Sequence, residues 1–238
     1  AWRSLNLPHD WSIEGENLED APGAGRVGYF PTGTGWYRKR FDVPGYSRDR
    51  LYSIEFDGVY MNSEVWINGH YLGKWPYGYS SFSYDLTPWL KARGNVIAVR
   101  GDNSLQPNSR WYTGSGIYRH VRLVSTDKLR FDKWGVFVRT ESIADDGALL
   151  VIEAALSDGS GHASAVVRNE LFDADGNKVA SVENEVSFSA GKASAVSGME
   201  VAGPHLWDTE SPYLYTLRSS VVLDGRTVDA VDTKVGIR

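Results

Sequence analysis

The sequence predicts an all-β protein, and three observations carry that prediction. Even and odd positions differ in character through residues 36–43, which is the period of a half-buried strand. The dipeptide Asn68-Gly69 stands between two short runs of strand-forming residues and supplies both positive φ angles of a type I′ hairpin turn. No long segment has the period of an amphipathic helix, and residues 86–92 are expected to form at most one turn.

Each predicted strand is a short run of β-branched or aromatic residues bounded by turn-forming residues. Pro44-Gly45 and Pro88 separate strands in the first part of the chain, and residues 173–177 form an Asp- and Gly-rich turn in the second. The predicted strands are 36–43, 51–56, 64–67, 70–72, 95–100, 149–154, 166–172 and 178–183.

The composition changes near residues 125–127, which predicts two domains. Trp, Tyr and Gly are dense before this point, whereas Ala, Val, Ser and Asp predominate after it. The larger aromatic part, residues 1–126, is typical of a jelly-roll (galactose-binding-like) β-sandwich. Residues 127–238 have the size and turn spacing of an immunoglobulin-like β-sandwich. The prediction is two sandwiches in tandem.

Charge and composition exclude several classes of function. A formal net charge of -5, without a basic run, disfavours non-specific binding to nucleic acid, so no nucleic-acid partner is predicted. The chain has no Cys, so a disulfide, a thiolate nucleophile and a Cys-ligated metal are all ruled out. No apolar stretch approaches the roughly 20 residues that a membrane-spanning helix needs. The compartment stays open, because residues 1–5 already read as folded protein and a removed leader is compatible with that.

Several motifs of the first part together resemble the sugar-binding domain of glycoside hydrolase family 2. The stretch that ends in Gly116-Ile117-Tyr118-Arg119 is strongly associated with this family, and Leu7 to Trp11 looks like its β-galactosidase branch. The segments that carry the likeness are 7–11, 65–73, 79–87, 95–103 and 109–121.

The second part resembles the immunoglobulin-like domain of the same family. Residues 204–215 are similar to that domain's final strands, and Val235 to Arg238 looks like the hinge into the catalytic barrel. The resemblance implies the non-catalytic N-terminal portion of a retaining glycosidase, most similar to β-galactosidases that hydrolyse terminal β-galactosides. The catalytic barrel is expected beyond Arg238, as the partner of these two domains in the same chain.

No catalytic residue is assigned within the chain itself. Retaining glycosidases use two carboxyl groups about 5–5.5 Å apart, and in this family both belong to the barrel. The acidic residues near Glu14 and at Asp145-Asp146 are interpreted as solvated loops. His9 and Asp10 lack a partnering nucleophile, so a structural hydrogen bond is favoured there over a catalytic dyad. The five His residues show no metal-ligand spacing, and no cofactor is predicted.

The resemblance implies that the loop before Gly116 lines the substrate pocket of the neighbouring barrel. The residues expected there are Arg110, Trp111, Tyr112, Asp102 and Asn103. The residue types suit this role, because Arg donates hydrogen bonds to sugar hydroxyls and Trp or Tyr covers apolar sugar faces. In the alternative interpretation, Trp111 and Tyr112 belong to an interdomain core and Arg110 pairs with an acid.

A second candidate for sugar binding is the run Trp75, Tyr77, Tyr79, Phe82 and Tyr84. An aromatic platform of this kind would suit an independent carbohydrate-binding module, the main alternative function; a structural sandwich is a third. The run is expected to divide between two faces of the strand and to serve packing. A contiguous exposed aromatic patch that includes Trp111 is also predicted, because a missing barrel would uncover one.

Overall fold

A computed structural model describes residues 2–238 and confirms the all-β fold class. The described residues form fourteen strands, and their one helix is a single 3₁₀ turn, Ala24–Val27. The chain divides into two compact units, Ala1–Ser125 and Thr126–Arg238. We call these the first and the second unit. Each contains two β-sheets that enclose apolar side chains.

Two antiparallel sheets form the first unit. One has the strand order β1-β6-β3-β4 and the other β5-β2-β7, so strands that are neighbours in a sheet are often distant in sequence. The strands are β1 (Gly33–Phe41), β2 (Leu51–Phe56), β3 (Ser63–Ile67), β4 (His70–Trp75), β5 (Phe82–Asp85), β6 (Asn95–Asn103) and β7 (Val121–Thr126).

Alternation along the strands builds the core of the first unit. In β6, buried residues alternate with partly exposed ones over all nine positions, because successive side chains of a strand point to opposite faces. Ile97 and Val99 of β6 meet Ile54 and Phe56 of β2 in one cluster, which joins the two sheets. Each sheet therefore buries its apolar face against the other sheet, which removes that face from water and makes the unit a sandwich.

The hairpin between β3 and β4 has the predicted turn. Asn68 has φ 51° and Gly69 has φ 87°, so both central residues adopt the left-handed region that a type I′ turn requires. The Asn68 side chain accepts a hydrogen bond from the Val96 backbone N–H at 2.8 Å and donates one to the Trp89 carbonyl at 2.8 Å. The turn residue thus also ties the hairpin to β6.

The second unit has the same number of strands in two sheets, ordered β11-β10-β13-β14 and β12-β9-β8. Aliphatic residues dominate its interior, with Leu150 and Ile152 of one sheet packed in a cluster with Leu171 and Leu217 of the other. The strands are β8 (Leu129–Ala144), β9 (Gly147–Asp158), β10 (Ser164–Phe172), β11 (Lys178–Ser187), β12 (Lys192–Ala202), β13 (Tyr215–Leu223) and β14 (Arg226–Val235).

Of two short turns that lie outside the strands, the sequence predicted one and not the other. Residues 86–92 contain one turn, in which the Leu90 N–H donates to the Leu86 carbonyl at 2.9 Å. The 3₁₀ turn Ala24–Val27 was not expected, since four residues are too few to show a period. It ends at Gly28, whose φ of 65° closes the turn in the left-handed region.

Candidate functional site

The candidate site is built on the connection between β6 and β7. Its first part, residues 104–115, contains no regular secondary structure, and we call it the site loop. The loop begins directly after Asn103, the last residue of β6, and ends at the buried residue Ser115. An irregular loop of this length keeps a defined shape only when side chains satisfy its backbone groups.

Asn103 fastens the two ends of the site loop to each other. Its side chain is buried, and its amide N–H groups donate to the Gly114 carbonyl at 3.1 Å and the Ser115 hydroxyl at 2.9 Å. Its amide oxygen accepts from the side chains of Gln106 at 2.8 Å and Asn108 at 2.6 Å. The loop has no strand ladder, and the four hydrogen bonds of this one side-chain amide hold it together instead.

Asp10 forms a second clamp on the same loop, from a segment more than 100 residues away. Its carboxylate accepts backbone hydrogen bonds from Ser12 and Ser115, both at 2.9 Å, and the Tyr112 hydroxyl donates to it at 2.5 Å. Burial and the adjacent Asp10 carboxylate raise the pKa of Tyr112 far above its usual value, so its hydroxyl remains a donor. The ring of Tyr112 packs on Phe30 with 5.1 Å between centroids.

Glycine is required where the second clamp closes. Gly114 has φ 71°, and a Cβ atom built there would lie 2.5 Å from the Asp10 carboxylate. A side chain at this position would therefore be strained by its backbone and would push Asp10 out of place. The loop can close here because Gly114 has no side chain and readily adopts a left-handed backbone conformation.

Between the two clamps the loop presents Arg110 and Trp111 to solvent. Trp111 is 61% exposed, and its indole N–H donates to the Tyr79 hydroxyl at 3.1 Å. Arg110 is exposed, and within residues 2–238 its guanidinium has no hydrogen-bond or ion-pair partner. Tyr77 and Tyr79 are also exposed, with rings 5.7 Å apart. The exposed surface at the loop thus combines the Arg110 guanidinium, unpaired among the described residues, with the rings of Trp111, Tyr77 and Tyr79.

Asp102 precedes the loop and is held in place from two sides. One carboxylate oxygen accepts from the Arg100 guanidinium at 2.6 Å, and the other accepts from the Ser104 hydroxyl at 2.6 Å and from the Ser104 backbone N–H at 3.0 Å. The hydrogen bonds from Ser104 and the charge of Arg100 hold the pKa of Asp102 below its usual range. The side chain is therefore an ionised anchor at the start of the loop.

The five sequence-predicted residues thus fall into different positions. Arg110 and Trp111 project from the loop, whereas the side chains of Tyr112 and Asn103 hold it and Asp102 anchors its start. Sequence reasoning did not find the role of Asp10. The adjacent pair His9-Asp10 was noticed, but its partner Tyr112 is too far along the chain for any local pattern to reveal.

His9 and Asp10 do not act as a pair. His9 Nδ1 lies 2.8 Å from the Tyr37 hydroxyl, and Nε2 lies 3.0 Å from the Arg3 guanidinium and 3.2 Å from the Glu14 carboxylate. Asp10 is used by the second clamp instead. The favoured interpretation of structural hydrogen bonding, rather than a catalytic dyad, agrees with this geometry.

The aromatic run divides between core and surface, as the sequence indicated. Phe82 is buried and stacks on Trp75 at 5.5 Å, and Tyr84 packs against the same core. Tyr77 and Tyr79 are exposed beside Trp111. The exposed aromatic patch predicted around Trp111 is therefore present, and these two tyrosines belong to it.

A general acid needs a raised carboxyl pKa, and few carboxylates of the described residues have one. The shifted carboxyl pKa values within residues 2–238 are all lowered, except that burial raises the pKa of Asp229. Asp229 accepts a hydrogen bond from the Phe131 backbone N–H at 2.9 Å, which is a structural use. In the same range, no three His, Asp or Glu side chains are arranged to hold a metal ion. No helix there is long and apolar enough to cross a membrane.

Comparison with solved structures gives close matches to both units. A glycosyl hydrolase family 2 member from Bacteroides cellulosilyticus superposes with a TM-score of 0.95 at 35% identity, over 100% of this chain and 32% of that one. A β-glycosidase from Bacteroides vulgatus superposes with a TM-score of 0.90 at 38% identity, over 100% and 30% of the two chains.

Curated relatives match over the same range. The β-galactosidase BoGH2A of Bacteroides ovatus is 46% identical over 240 residues, which is 100% of this chain and 28% of that protein. A β-glucuronidase of Bacteroides fragilis is 30% identical over 99% of this chain and 35% of its own length. The chain therefore spans about a third or less of the relatives it matches.

Two family models divide the chain between them. The model described as the sugar binding domain of glycosyl hydrolases family 2 matches residues 28–127, and the model described as glycosyl hydrolases family 2 matches residues 131–238. Together with the two sandwiches, these matches show that the chain belongs to glycosyl hydrolase family 2.

Proposed function

We propose that this chain is the non-catalytic portion of a retaining family-2 β-galactosidase that hydrolyses terminal β-galactosides. The catalytic barrel of the same protein would supply both reacting carboxylates, and the site loop would line part of its substrate pocket. The identity of 46% to a β-galactosidase supports the choice of sugar. The absence of a candidate carboxylate pair among the described residues supports the non-catalytic role.

The observation that carries this proposal is the geometry of the site loop. The Asn103 and Asp10 clamps fasten the loop to its unit, yet the side chains of Arg110 and Trp111 stay exposed to solvent. A fixed loop with unused polar and aromatic groups is suited to contacts with a ligand or another domain. A guanidinium donates to sugar hydroxyls, and an indole ring covers the apolar face of a sugar.

The five residues would then have two kinds of role. Arg110 and Trp111 would line the pocket and touch the sugar. Asn103 and Asp102 have their polar atoms engaged within the unit, so they would position the loop around the pocket. Tyr112 would do the same through Asp10, with the exposed part of its ring as lining.

The direct test is hydrolysis of nitrophenyl β-galactoside and nitrophenyl β-glucuronide by this chain and by the full-length protein. We expect the chain alone to be inactive and the full-length protein to prefer the galactoside. A preference for the glucuronide would overturn the assigned sugar. Turnover by the purified chain would overturn the non-catalytic role.

The role of the loop is tested in the full-length protein with Arg110→Ala and Trp111→Ala. Each variant is expected to lower kcat/KM about tenfold or more, since each removes a contact to the bound sugar. Trp134→Ala is the matched control, because Trp134 is 76% exposed but lies in the second unit. Unchanged kinetics for both loop variants would contradict the pocket assignment.

A further inference from the structure

The outward face of the sheet β1-β6-β3-β4 carries a row of aromatic side chains that the proposed function does not use. In the strand register, Arg38 lies opposite Ala98, Ala98 opposite Trp66, and Trp66 opposite Tyr71. Trp36, two residues along β1, points to the same face because side chains alternate along a strand. We call Trp36, Trp66 and Tyr71 the aromatic strip.

The rings of the strip are in contact with one another and open to solvent. Trp36 stacks on Trp66 with 5.3 Å between centroids, and Trp66 contacts Tyr71 at 5.4 Å. Trp36 is 50% exposed and Tyr71 is 54% exposed. The strip crosses all four strands, and its two centroid distances put the end rings at most about 11 Å apart. This length exceeds one sugar ring and suits a chain of sugars.

Beside the strip lies a charged row that is already satisfied. The Arg100 guanidinium donates to Glu64 at 2.7 Å and to Asp102 at 2.6 Å. These two carboxylates and one cation leave the group with a single net negative charge. Asp102 is already bonded through both oxygens, but the Glu64 carboxylate keeps further lone pairs and the Arg100 guanidinium keeps further N–H groups for the hydroxyls of a ligand.

Three further cations on this face are not paired with an acid in residues 2–238. Arg38 lies over the Trp2 ring at 4.5 Å, a contact that keeps its charge, and neither Arg40 nor Lys74 has an ion pair within that range. The face is therefore positive overall, although the whole chain has a formal net charge of -5. This local reversal of charge favours a ligand that carries negative groups.

We propose that this face binds a polysaccharide chain that carries carboxylate groups. The aromatic strip stacks on successive sugar rings, and Arg38 and Arg40 pair with the carboxylates on one side of them. The strip supplies aromatic rings and the neighbouring row supplies hydrogen-bonding groups. A sugar ring needs both, because it has apolar faces and hydroxyl groups at its edge. The site belongs to the first unit alone, so it stands whether or not the proposed function is correct.

The test is electrophoresis of this chain in native gels that contain polygalacturonate, neutral galactan or no polysaccharide, followed by titration calorimetry. We expect polygalacturonate to retard the chain, and added salt to weaken the binding because part of it is ionic. Trp36→Ala and Tyr71→Ala should each weaken binding about tenfold or more, and the double variant R38Q/R40Q should lose the preference for the acidic polymer.

Two controls separate the face from general effects. Trp134→Ala removes an exposed aromatic ring in the second unit, and the double variant R48Q/R93Q removes two exposed charges elsewhere on the first; both should bind as the parent chain does. Circular dichroism checks that each variant is folded. If Trp36→Ala is not folded, the more exposed Tyr71→Ala decides the question. No retardation, equal retardation by neutral galactan, or full binding by Tyr71→Ala would each overturn the proposal.

Discussion

The two units have the same number of strands but keep their shape by different means. Seven of the nine tryptophans lie in the first unit, where loops are held by buried polar side chains such as Asn103. The second unit depends on long strand ladders and an aliphatic interior; its β8 and β9 alone have 16 and 12 residues. The difference teaches that regular ladders suffice for a scaffold, whereas a shaped loop needs specific side-chain bonds.

One buried asparagine in each unit makes the contrast concrete. Asn103 uses both its amide nitrogen and its amide oxygen, with two partners for each. Asn169 is equally buried, but only its oxygen is bonded, to the Ser219 hydroxyl at 2.6 Å. Its amide nitrogen has no partner among residues 2–238. The first amide organises a loop, and the second sits within a strand that the ladder already holds.

The largest loss of stability should come from adding a side chain at Gly116, just after the site loop of the first unit. Gly116 has φ 105°, and a Cβ there would lie 2.2 Å from the Tyr37 hydroxyl. Gly116→Ala should therefore lower the free energy of unfolding by about 3 kcal/mol or more. Gly225→Ala, in an open hairpin of the second unit with φ 74° and no atom within 4 Å, should cost only about 1 kcal/mol. Urea unfolding compares them, and equal costs would remove the contrast.

The next largest loss of stability should come from Asn103, and the same substitution at Asn169 should cost less. Asn103→Ala removes a hydrogen-bond partner from the buried Gly114 carbonyl and from the buried Ser115 hydroxyl, and should cost about 2–4 kcal/mol of unfolding free energy. Asn169→Ala removes one hydrogen bond and also one unsatisfied donor, so its cost should be clearly smaller, about 1 kcal/mol. Thermal and urea unfolding of both variants test this. A larger cost for Asn169→Ala would show that the second unit depends on polar bonds as well.

Alkaline pH should weaken the first unit more than the second. Burial raises the pKa of Tyr37 to about 12 and raises the pKa of Tyr112 further. The folded state therefore keeps these protons when the unfolded chain loses them near its usual pKa of about 10. The stability that these groups contribute is complete below that pH and is lost as the pH rises above it.

Tryptophan fluorescence reports mainly the first unit, so its melting temperature between about pH 8 and pH 11 measures this loss. Tyr37→Phe should melt lower at neutral pH, because the hydroxyl's contact with His9 at 2.8 Å is lost, but should show a shallower decline with pH. An unchanged slope in Tyr37→Phe would contradict the assignment.

The smallest expected effect is a gain in the second unit. Burial raises the pKa of Asp229, so its charge is unfavourable in the folded state once the pH exceeds the unfolded value of about 3.9. Asp229→Asn keeps an acceptor for the Phe131 N–H and should add about 0.5 kcal/mol at neutral pH. Asp232→Asn, which breaks an exposed pair with Arg218 at 2.8 Å, should instead be neutral or slightly destabilising. Calorimetry at pH values of about 4 and 7 distinguishes the two.

Local pattern predicted much of the fold, and family resemblance selected the residues of the candidate site. Residues 95–100 were predicted to be a strand from their short β-branched run, and the structure extends that strand to Asn103. Asn68-Gly69 was read as a type I′ turn from its residue types, and both φ angles agree. Arg110 and Trp111 were selected through family resemblance, and both are exposed at the loop. The strand and the turn each depend on neighbours a few residues apart.

The order of strands and the Asp10 clamp had no such local signal. β1 pairs with β6, and Asp10 meets Tyr112 across 102 positions of the chain. The same limit hid the aromatic strip, since Trp36, Trp66 and Tyr71 become neighbours only when β1, β6, β3 and β4 lie side by side.

The sequence by itself determined the all-β class, the hairpin turn, the family and the residues that tip the site loop. The first two follow from the backbone preferences and short-range periods that a chain carries in every conformation. The family and the loop residues rest instead on the resemblance of short motifs to a known family. Only the tertiary structure decided that Asn103 is a buried clasp, that Asp10 secures Tyr112, and that three distant aromatic residues form one surface. Such contacts are set by which strands lie side by side, and pairing of that kind is a property of the whole packed core.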